Sequence, residues 1–198
     1  MRVITGLAGG QPLKVPRSLT RPTTDRVREA VFSSLGDLVS GARVLDLYAG
    51  SGALGIESLS RGAASVLFVE ESTTACRIIE ENLLSTRLAG GMVRPGRVSQ
   101  ILRSLPSSPG FDLIFADPPY ARGPEEREEL KTLLETPTLP TLLRPGGCFV
   151  LESWSKSRLP PAPVWHSLRE RRYGETLVTY LALAKDQVPG EGDSSDSP

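Results

Sequence analysis

Between residues 42 and 184 the apolar positions form short blocks, and amphipathic stretches with helical spacing separate the first five of them. The short blocks have the length of buried strands. The pattern predicts seven strands, at residues 42–47, 65–69, 91–94, 111–116, 147–152, 164–172 and 176–184. It predicts helices at residues 53–60, 73–88, 98–105 and 125–135, the last of them exposed and acidic. Strands that alternate with helices indicate a mostly parallel sheet covered on both faces, with a final antiparallel hairpin joined at Gly174.

The segment before this pattern is organised differently. Residues 2–6 and 11–15 flank Ala8-Gly9-Gly10, a turn signal that predicts a β-hairpin. A helix follows residues 21–24, where either threonine can cap its first turn. Its apolar stripe is predicted to consist of Val27, Val31, Leu35 and Leu38.

Three regions follow from these patterns. Residues 1–40 form an N-terminal extension of hairpin and helix, and residues 41–184 form the α/β domain. Residues 185–198 are polar and acidic, a composition that predicts a disordered tail.

Charge and composition narrow the function only slightly. The net charge of the 198 residues is zero, but residues 1–28 carry six basic side chains against Asp25 alone. That cluster could contact phosphate or could be a solvated surface. With two separate cysteines and one histidine, no metal site is predicted. No apolar run approaches the roughly 20 residues of a membrane span, so we expect a cytoplasmic protein.

A glycine-rich loop connects the first strand to its helix. Residues 50–55 read Gly-Ser-Gly-Ala-Leu-Gly, and Glu70 lies twenty positions beyond Gly50 at the end of the next strand. This arrangement is typical of a backbone that approaches a nucleotide while an acid binds ribose hydroxyls, so a dinucleotide site is one interpretation. Asp46 favours S-adenosylmethionine instead, because a carboxylate there can bind the methionine ammonium and would repel a pyrophosphate. Asp46 could also accept backbone N–H bonds from the loop.

Asp117-Pro118-Pro119-Tyr120 follows the fourth strand. Ligands of open parallel sheets bind at the carboxyl ends of the strands, so Asp46, Glu70 and Asp117 should converge. Asp117 and the Pro118 carbonyl could accept hydrogen bonds from an exocyclic base amine, localising its lone pair for methyl transfer. Pro119 would help to lock the turn, and Tyr120 could stack on an unstacked base. The alternative interpretation is that residues 117–120 form a proline turn with no catalytic role.

These motifs together resemble the RsmD family of bacterial ribosomal RNA methyltransferases over residues 1–184. The resemblance is carried by RPTTDRVRE at residues 21–29, DLYAGSGALGIE at residues 46–57, SRGA at residues 60–63 and DPPY at residues 117–120. It implies a Rossmann-like class I methyltransferase fold with seven strands. It also implies methyl transfer from S-adenosylmethionine to N2 of a guanine in small-subunit (16S) ribosomal RNA. We expect the protein to be a monomer and its substrate to be the RNA within a ribonucleoprotein particle.

The resemblance also implies roles for individual residues. The catalytic residues would be Asp117, Pro118, Pro119 and Tyr120. The cofactor would contact Thr23, in a lid near its carboxylate, and Asp46, Tyr48, Ala49, Gly50, Ser51, Gly52, Glu70 and Val98. The RNA surface would include Lys14, Arg17 and Arg21.

One position departs from the family pattern. Relatives carry Asp or Asn before the short helix that follows the third strand, where this chain has Arg97. Arginine accepts no hydrogen bond, which leaves the adenine amino group to a backbone acceptor.

Four other functions remain open from the residues alone. They are adenine-N6 methylation of DNA or RNA, protein glutamine methylation, dinucleotide-dependent oxidation and RNA binding without catalysis. Asp117 disfavours glutamine methylation, which more often goes with Asn at the first position of the turn.

Overall fold

The computed structural model describes residues 1–16, 25–108, 110–119 and 124–184. The helices are α1 (Asp25–Leu35), α2 (Ala53–Ser60), α3 (Thr73–Thr86), α4 (Val98–Ser104), α5 (Pro124–Leu134) and α6 (Thr138–Leu142). The strands are β1 (Arg43–Leu47), β2 (Ser65–Glu70), β3 (Gly91–Pro95), β4 (Phe111–Ala116), β5 (Leu143–Trp154), β6 (Trp165–Tyr173) and β7 (Thr176–Leu183). Among these residues no helix combines the length and apolar character needed to cross a bilayer.

All seven strands belong to one sheet in the order β3-β2-β1-β4-β5-β7-β6. The first five strands in this order are parallel, whereas β7 runs antiparallel to both β5 and β6. The carboxyl ends of β1, β2, β4 and β5 therefore lie along the same edge of the sheet. This topology confirms the predicted mostly parallel α/β fold with a C-terminal antiparallel hairpin.

The helices cover both faces of the sheet and bury two separate cores. On one face Val44, Phe68 and Phe115 pack with side chains of α1, α2 and α3. On the other face Leu45 and Ile114 pack with side chains of α4, α5 and α6. Consecutive strand residues thus alternate between two buried layers, which explains why the parallel strands read as continuous apolar blocks.

The predicted N-terminal hairpin is an antiparallel loop rather than a pair of regular strands. Its only bridge among the described residues joins Arg2 to Pro12, beside a hydrogen bond from the Val3 N–H to the Gln11 carbonyl at 2.9 Å. Val3, Ala8 and Leu13 are nevertheless buried in the same core as α1 and α2. The extension therefore shares its apolar core with the sheet.

Two predictions about buried helix faces were wrong. Leu38 is 48% exposed, because α1 ends at Leu35 and Gly36, at φ +53°, begins a tighter 3-10 turn that buries Val39 instead. Helix α5 is not simply an exposed acidic helix. Its Leu130, Leu133 and Leu134 are all buried, since spacings of three and four residues place leucines on one face.

The region between β4 and β5 also differs from its prediction. Helix α6 was not predicted, because its five residues include Pro140 and show too little periodicity. Strand β5 begins at Leu143 rather than at residue 147. Residues 144–146, Arg-Pro-Gly, therefore lie within its span, where the register with β4 shifts between Phe111 and Leu113.

Candidate active site

Three carboxylates meet at the carboxyl edge of the sheet. In the register of the sheet, Leu47 at the end of β1 pairs with Val69 of β2 and with Ala116 of β4. Asp46 precedes this row, whereas Glu70 and Asp117 follow it directly. The negative charges of Asp117 and Glu70 both act on the Asp46 carboxyl. The structure thus brings together the three acids that the sequence singled out.

Asp46 is almost fully buried at the end of β1. Its Oδ2 accepts the N–H of Gly55 at 3.0 Å, in the first turn of α2, a helix without a side-chain cap of its own. Burial raises the pKa of Asp46 to about 8, and the charges of Asp117 and Glu70 add to that rise, while the Gly55 N–H opposes it. The carboxyl of Asp46 is therefore mostly protonated at neutral pH.

Glu70 is bonded to the backbone on both sides. One carboxylate oxygen accepts the Gly50 N–H at 2.8 Å, and the other accepts the Ser72 N–H at 2.8 Å. A carboxylate oxygen has more than one acceptor position, so both oxygens can still receive hydroxyl donors.

The glycine loop at residues 50–55 has a strained, internally bonded backbone. Gly50 and Gly52 have φ angles of +55° and +76°, and Tyr48 adopts φ +57°, a region that a bulky side chain seldom occupies. The Tyr48 hydroxyl donates to Glu129 at 2.6 Å, a bond that fixes this residue to α5. Backbone strain of this kind is often found at ligand sites.

The last glycine of the loop is required by packing. A Cβ atom on Gly55 would lie 2.2 Å from the ring of Phe68, so only glycine allows α2 to approach the sheet this closely. Ser51, which lies between the first two glycines, is buried, and Ala49 is partly buried.

Several backbone donors of the loop already have partners within the protein. The Gly50 N–H bonds to Glu70, the Gly52 N–H to the Ala49 carbonyl at 2.7 Å, and the Gly55 N–H to Asp46. A dinucleotide loop needs such donors for a pyrophosphate. The N–H groups of Gly50, Gly52 and Gly55 are therefore not free for an anionic ligand.

The proline turn begins at the same edge. Asp117 is partly buried, Pro118 is buried and Pro119 is exposed, so the turn passes from the core towards solvent. Tyr120 lies outside the described residues, as do Thr23, Arg17 and Arg21.

Two further predicted positions lie near the end of β2. Val98 is buried as the first residue of α4. Arg97 caps this helix with its backbone only, and its exposed guanidinium lies 3.5 Å from Glu71. The Gly96 N–H donates to the Glu70 carbonyl, so the backbone before α4 is tied to the strand that carries Glu70.

Lys14 is placed on the surface of the extension. Its Nζ lies 2.7 Å from a carboxylate oxygen of Glu81 on α3, and both side chains are more than half exposed. The ion pair leaves Lys14 in reach of solvent but directs it towards α3.

The buried Asn82 was not among the site residues predicted from the sequence. Its Oδ1 accepts the Lys14 N–H at 2.8 Å, and its Nδ2 donates to the carbonyls of Lys14 and Ser51, both at 3.0 Å. One side chain of α3 therefore joins the extension to the glycine loop. A signal was available, because Asn82 shares the helical face of Ala75, Ile79 and Thr86, all of them buried.

A second missed residue is Glu152, which is 3% exposed near the end of β5. Leu151 pairs with Ala116, so Glu152 stands level with Asp117 at the same edge of the sheet. The sequence alone did not indicate that Glu152 lies at the site, because its position depends on the pairing of β5 with β4.

Comparison with known proteins places this geometry in a family. The chain matches the sequence model of the family described as conserved hypothetical protein 95 over residues 1–182. It is 34% identical to ribosomal RNA small subunit methyltransferase D of Escherichia coli strain K12, covering 98% of this chain and 94% of that protein. The protein of the same name from Haemophilus influenzae is 32% identical, with 91% of each chain covered.

The fold of this chain is also similar to that of solved structures with related sequences. The structure of yhhF from Escherichia coli superposes with a TM-score of 0.76 at 31% identity, covering 91% of this chain and 96% of that one. A hypothetical protein from Thermus thermophilus superposes with a TM-score of 0.75 at 33% identity, covering 91% of this chain and 98% of that one.

The sheet order and the acid-lined glycine loop define a class I methyltransferase. The chain belongs to the family described as conserved hypothetical protein 95, which confirms the resemblance to the RsmD family of ribosomal RNA small subunit methyltransferase D.

We expect Asn82→Ala to lower the free energy of unfolding by about 2 kcal/mol, because it leaves the buried Ser51 carbonyl and the partly buried backbone groups of Lys14 without their partner. Urea unfolding measures this change, and amide hydrogen exchange should quicken at Lys14. Glu80→Gln, on the exposed face of the same helix, serves as control and should stay within about 0.5 kcal/mol. Equal stability of the two variants would show that Asn82 does not hold the extension.

Proposed function

We propose that this protein transfers a methyl group from S-adenosylmethionine to the exocyclic N2 amine of a guanine in small-subunit (16S) ribosomal RNA. The relatives from Escherichia coli and Haemophilus influenzae are named for methylation of small-subunit ribosomal RNA. The protein SMU.776, which shares the fold at 13% identity and a TM-score of 0.58, was solved with S-adenosylhomocysteine. The observation that carries the proposal is the convergence of three carboxylates around a glycine loop with internally bonded N–H groups.

This arrangement fits a cationic cofactor. Burial makes negative charge on Asp46 costly and raises its pKa, and the charges of Asp117 and Glu70 add a smaller contribution to that cost. The ammonium and sulfonium of S-adenosylmethionine would relieve it, whereas a pyrophosphate would add to it. The site therefore disfavours a dinucleotide-dependent oxidoreductase.

Individual residues have distinct proposed roles towards the cofactor. Asp46 binds the methionine ammonium, and Glu70 accepts from the ribose hydroxyls while it holds Gly50 and Ser72. Thr23 belongs to a lid over the methionine carboxylate. The wall of the site is formed by Tyr48, Ala49, Gly50, Ser51, Gly52 and Val98.

The proposed catalytic groups activate the amine. When bound, the cofactor supplies an electrophilic methyl group on a sulfonium. The lone pair of a guanine amine is delocalised into the ring, so the amine is a weak nucleophile. Asp117 and the Pro118 carbonyl accept its hydrogen bonds and stabilise the positive charge that develops on nitrogen. Pro119 restricts the turn, and Tyr120 stacks on the base.

We further propose that residues 1–40 form an RNA-facing extension and lid on the methyltransferase domain of residues 41–184. Lys14, Arg17 and Arg21 would contact phosphates, and the substrate would be the RNA within a ribonucleoprotein particle. The buried contacts of Asn82 support this arrangement, because they connect the backbone of Lys14 to the cofactor loop.

The affinity for S-adenosylhomocysteine should rise with pH. Its ammonium needs an ionised Asp46, which is mostly protonated below its pKa of about 8. Calorimetry between pH 6 and pH 8 should show the dissociation constant falling up to about tenfold per pH unit. Asp46→Asn should bind more weakly and lose this slope, whereas an unchanged slope in the variant would assign the titration to another group.

The same pKa has a consequence for stability without ligand. The carboxyl of Asp46 titrates near 4 when unfolded and near 8 when folded, so the folded state binds the extra proton between these values. Its contribution to the free energy of unfolding is therefore full below pH 4 and is lost as pH rises towards 8.

Asp117→Ala should lower the rate of methyl transfer at least about 100-fold while S-adenosylhomocysteine binding stays within about threefold, because the acceptor acts on the amine. The assay uses labelled S-adenosylmethionine with 16S ribosomal RNA, 30S particles and DNA in parallel, followed by nucleoside mass spectrometry. Asp37→Ala is the control, because Asp37 is an exposed acid in the turn that precedes the amino end of β1, opposite to the carboxyl edge of the sheet.

Wild-type protein should yield N2-methylguanine from the ribosomal substrates. Methyladenine from DNA or RNA would show that adenine, not guanine, is the substrate. Normal turnover by Asp117→Ala would show that Asp117 does not activate the amine.

A further inference from the structure

A second group of basic side chains lies away from the N-terminal extension. Residues 154–172 hold five lysines and arginines against Glu170 as the single acid. We call these five the basic edge, and they are Lys156, Arg158, Arg169, Arg171 and Arg172. All of them are exposed, and three belong to β6, the last strand of the sheet.

The basic edge differs in its ion pairing from three other exposed basic residues, Arg2, Lys14 and Arg97. Lys14 faces Glu81, Arg2 faces Asp25 and Arg97 faces Glu71, each within 4 Å of a carboxylate. Within the part of the chain that the structure describes, no member of the basic edge forms an ion pair. Arg169 instead lies 5.9 Å from the ring centroid of Tyr180, and Lys156 lies 5.5 Å from that of Trp154. The positive charges of the basic edge are therefore available to bind an external anion.

The basic edge extends to the carboxyl ends of the strands, the same side of the sheet that holds Asp117. Lys156 and Arg158 follow the carboxyl end of β5, the strand next to β4. Strand β6 runs parallel to β5, so Arg171 and Arg172 also lie towards that end. The Ser155 N–H donates to the Glu175 carbonyl at 2.8 Å, which joins the segment after β5 to the turn between β6 and β7.

The distance between β4 and β6 suits the binding of a polynucleotide to both strands. Strand β6 lies three strand spacings of about 4.8 Å, or about 14 Å, from β4, which carries the catalytic turn. An RNA strand that places one base at Asp117 can extend its neighbouring phosphates over this distance. The half-buried Trp154 adds an aromatic ring between the two, a combination typical of single-stranded RNA surfaces.

We propose that the basic edge binds the phosphates of the RNA that flanks the target nucleotide. This inference rests on the proposed function and assigns it a second RNA contact, on the side of the sheet opposite to β3. Arginines on an edge strand can also serve only to prevent pairing with another sheet. That role predicts aggregation when they are removed but no change in the salt dependence of RNA binding.

The test reverses charge at two sites and at two matched positions. Arg171→Glu combined with Arg172→Glu is compared with Arg77→Glu combined with Arg103→Glu, which are exposed helix residues of α3 and α4 without ion pairs to the described residues. Both pairs change the net charge by the same amount. Binding of 16S ribosomal RNA is measured over a range of salt, together with methyl transfer to that RNA and to 30S particles. Arg171→Gln with Arg172→Gln is a milder version.

The first pair should raise KM for RNA about 10- to 100-fold, with kcat and S-adenosylhomocysteine binding within about twofold, and should flatten the salt slope by about 1.5. The glutamine pair should show a smaller loss of the same kind, and the control pair should stay within about twofold. Equal effects of both charge reversals, or none, would overturn the inference while wild-type activity still supports the proposed function. Loss on 30S particles with normal binding of free RNA would assign the surface to a ribosomal protein. A wild type that methylates neither ribosomal substrate contradicts the proposed function itself.

Discussion

The accumulation of negative charge at the carboxyl edge of the sheet is the constraint on which the site depends. Parallel strands bring Asp46, Glu70 and Asp117 to one edge, and burial makes the ionised form of Asp46 costly. The protein retains these acids by bonding Asp46 and Glu70 to backbone N–H groups of the glycine loop. The same bonds shape the loop and consume donors that an anionic ligand would need. One arrangement therefore fixes both the local fold and the charge of the ligand that fits.

The N-terminal extension depends on buried polar contacts as much as on apolar ones. Glu57 of α2 is fully buried and accepts the N–H groups of Ile4 and Thr5 as well as the side chain of Arg61. Gly6 lies so close to α2 that a Cβ atom there would be 1.9 Å from the Ser60 carbonyl oxygen. Because α2 also begins at the glycine loop, the extension and the loop are held by the same helix.

Most of the sheet could be predicted from the sequence, because buried parallel strands give short apolar blocks, whereas helices give apolar residues spaced three or four positions apart. The acids at strand ends were also readable, since topology decides where strand ends meet. The contacts of Asn82 and the position of Glu152 at the site were not predicted, because each depends on segments distant in sequence, although the helical face of Asn82 indicated its burial. Leu38 was misassigned since a single glycine changed the helical phase after Leu35. Thr23, Arg17, Arg21 and Tyr120 lie outside the described residues, so their roles rest on the sequence and on the family resemblance.

The central proposal is that this edge selects a cationic cofactor over a dinucleotide. Parallel calorimetric titrations of the full chain with S-adenosylhomocysteine and with NADH test it most directly. We predict saturable binding of S-adenosylhomocysteine that Glu70→Ala weakens at least about tenfold, a loss of about 1.4 kcal/mol, and no measurable binding of NADH. Tight binding of NADH without a response to S-adenosylhomocysteine would contradict it.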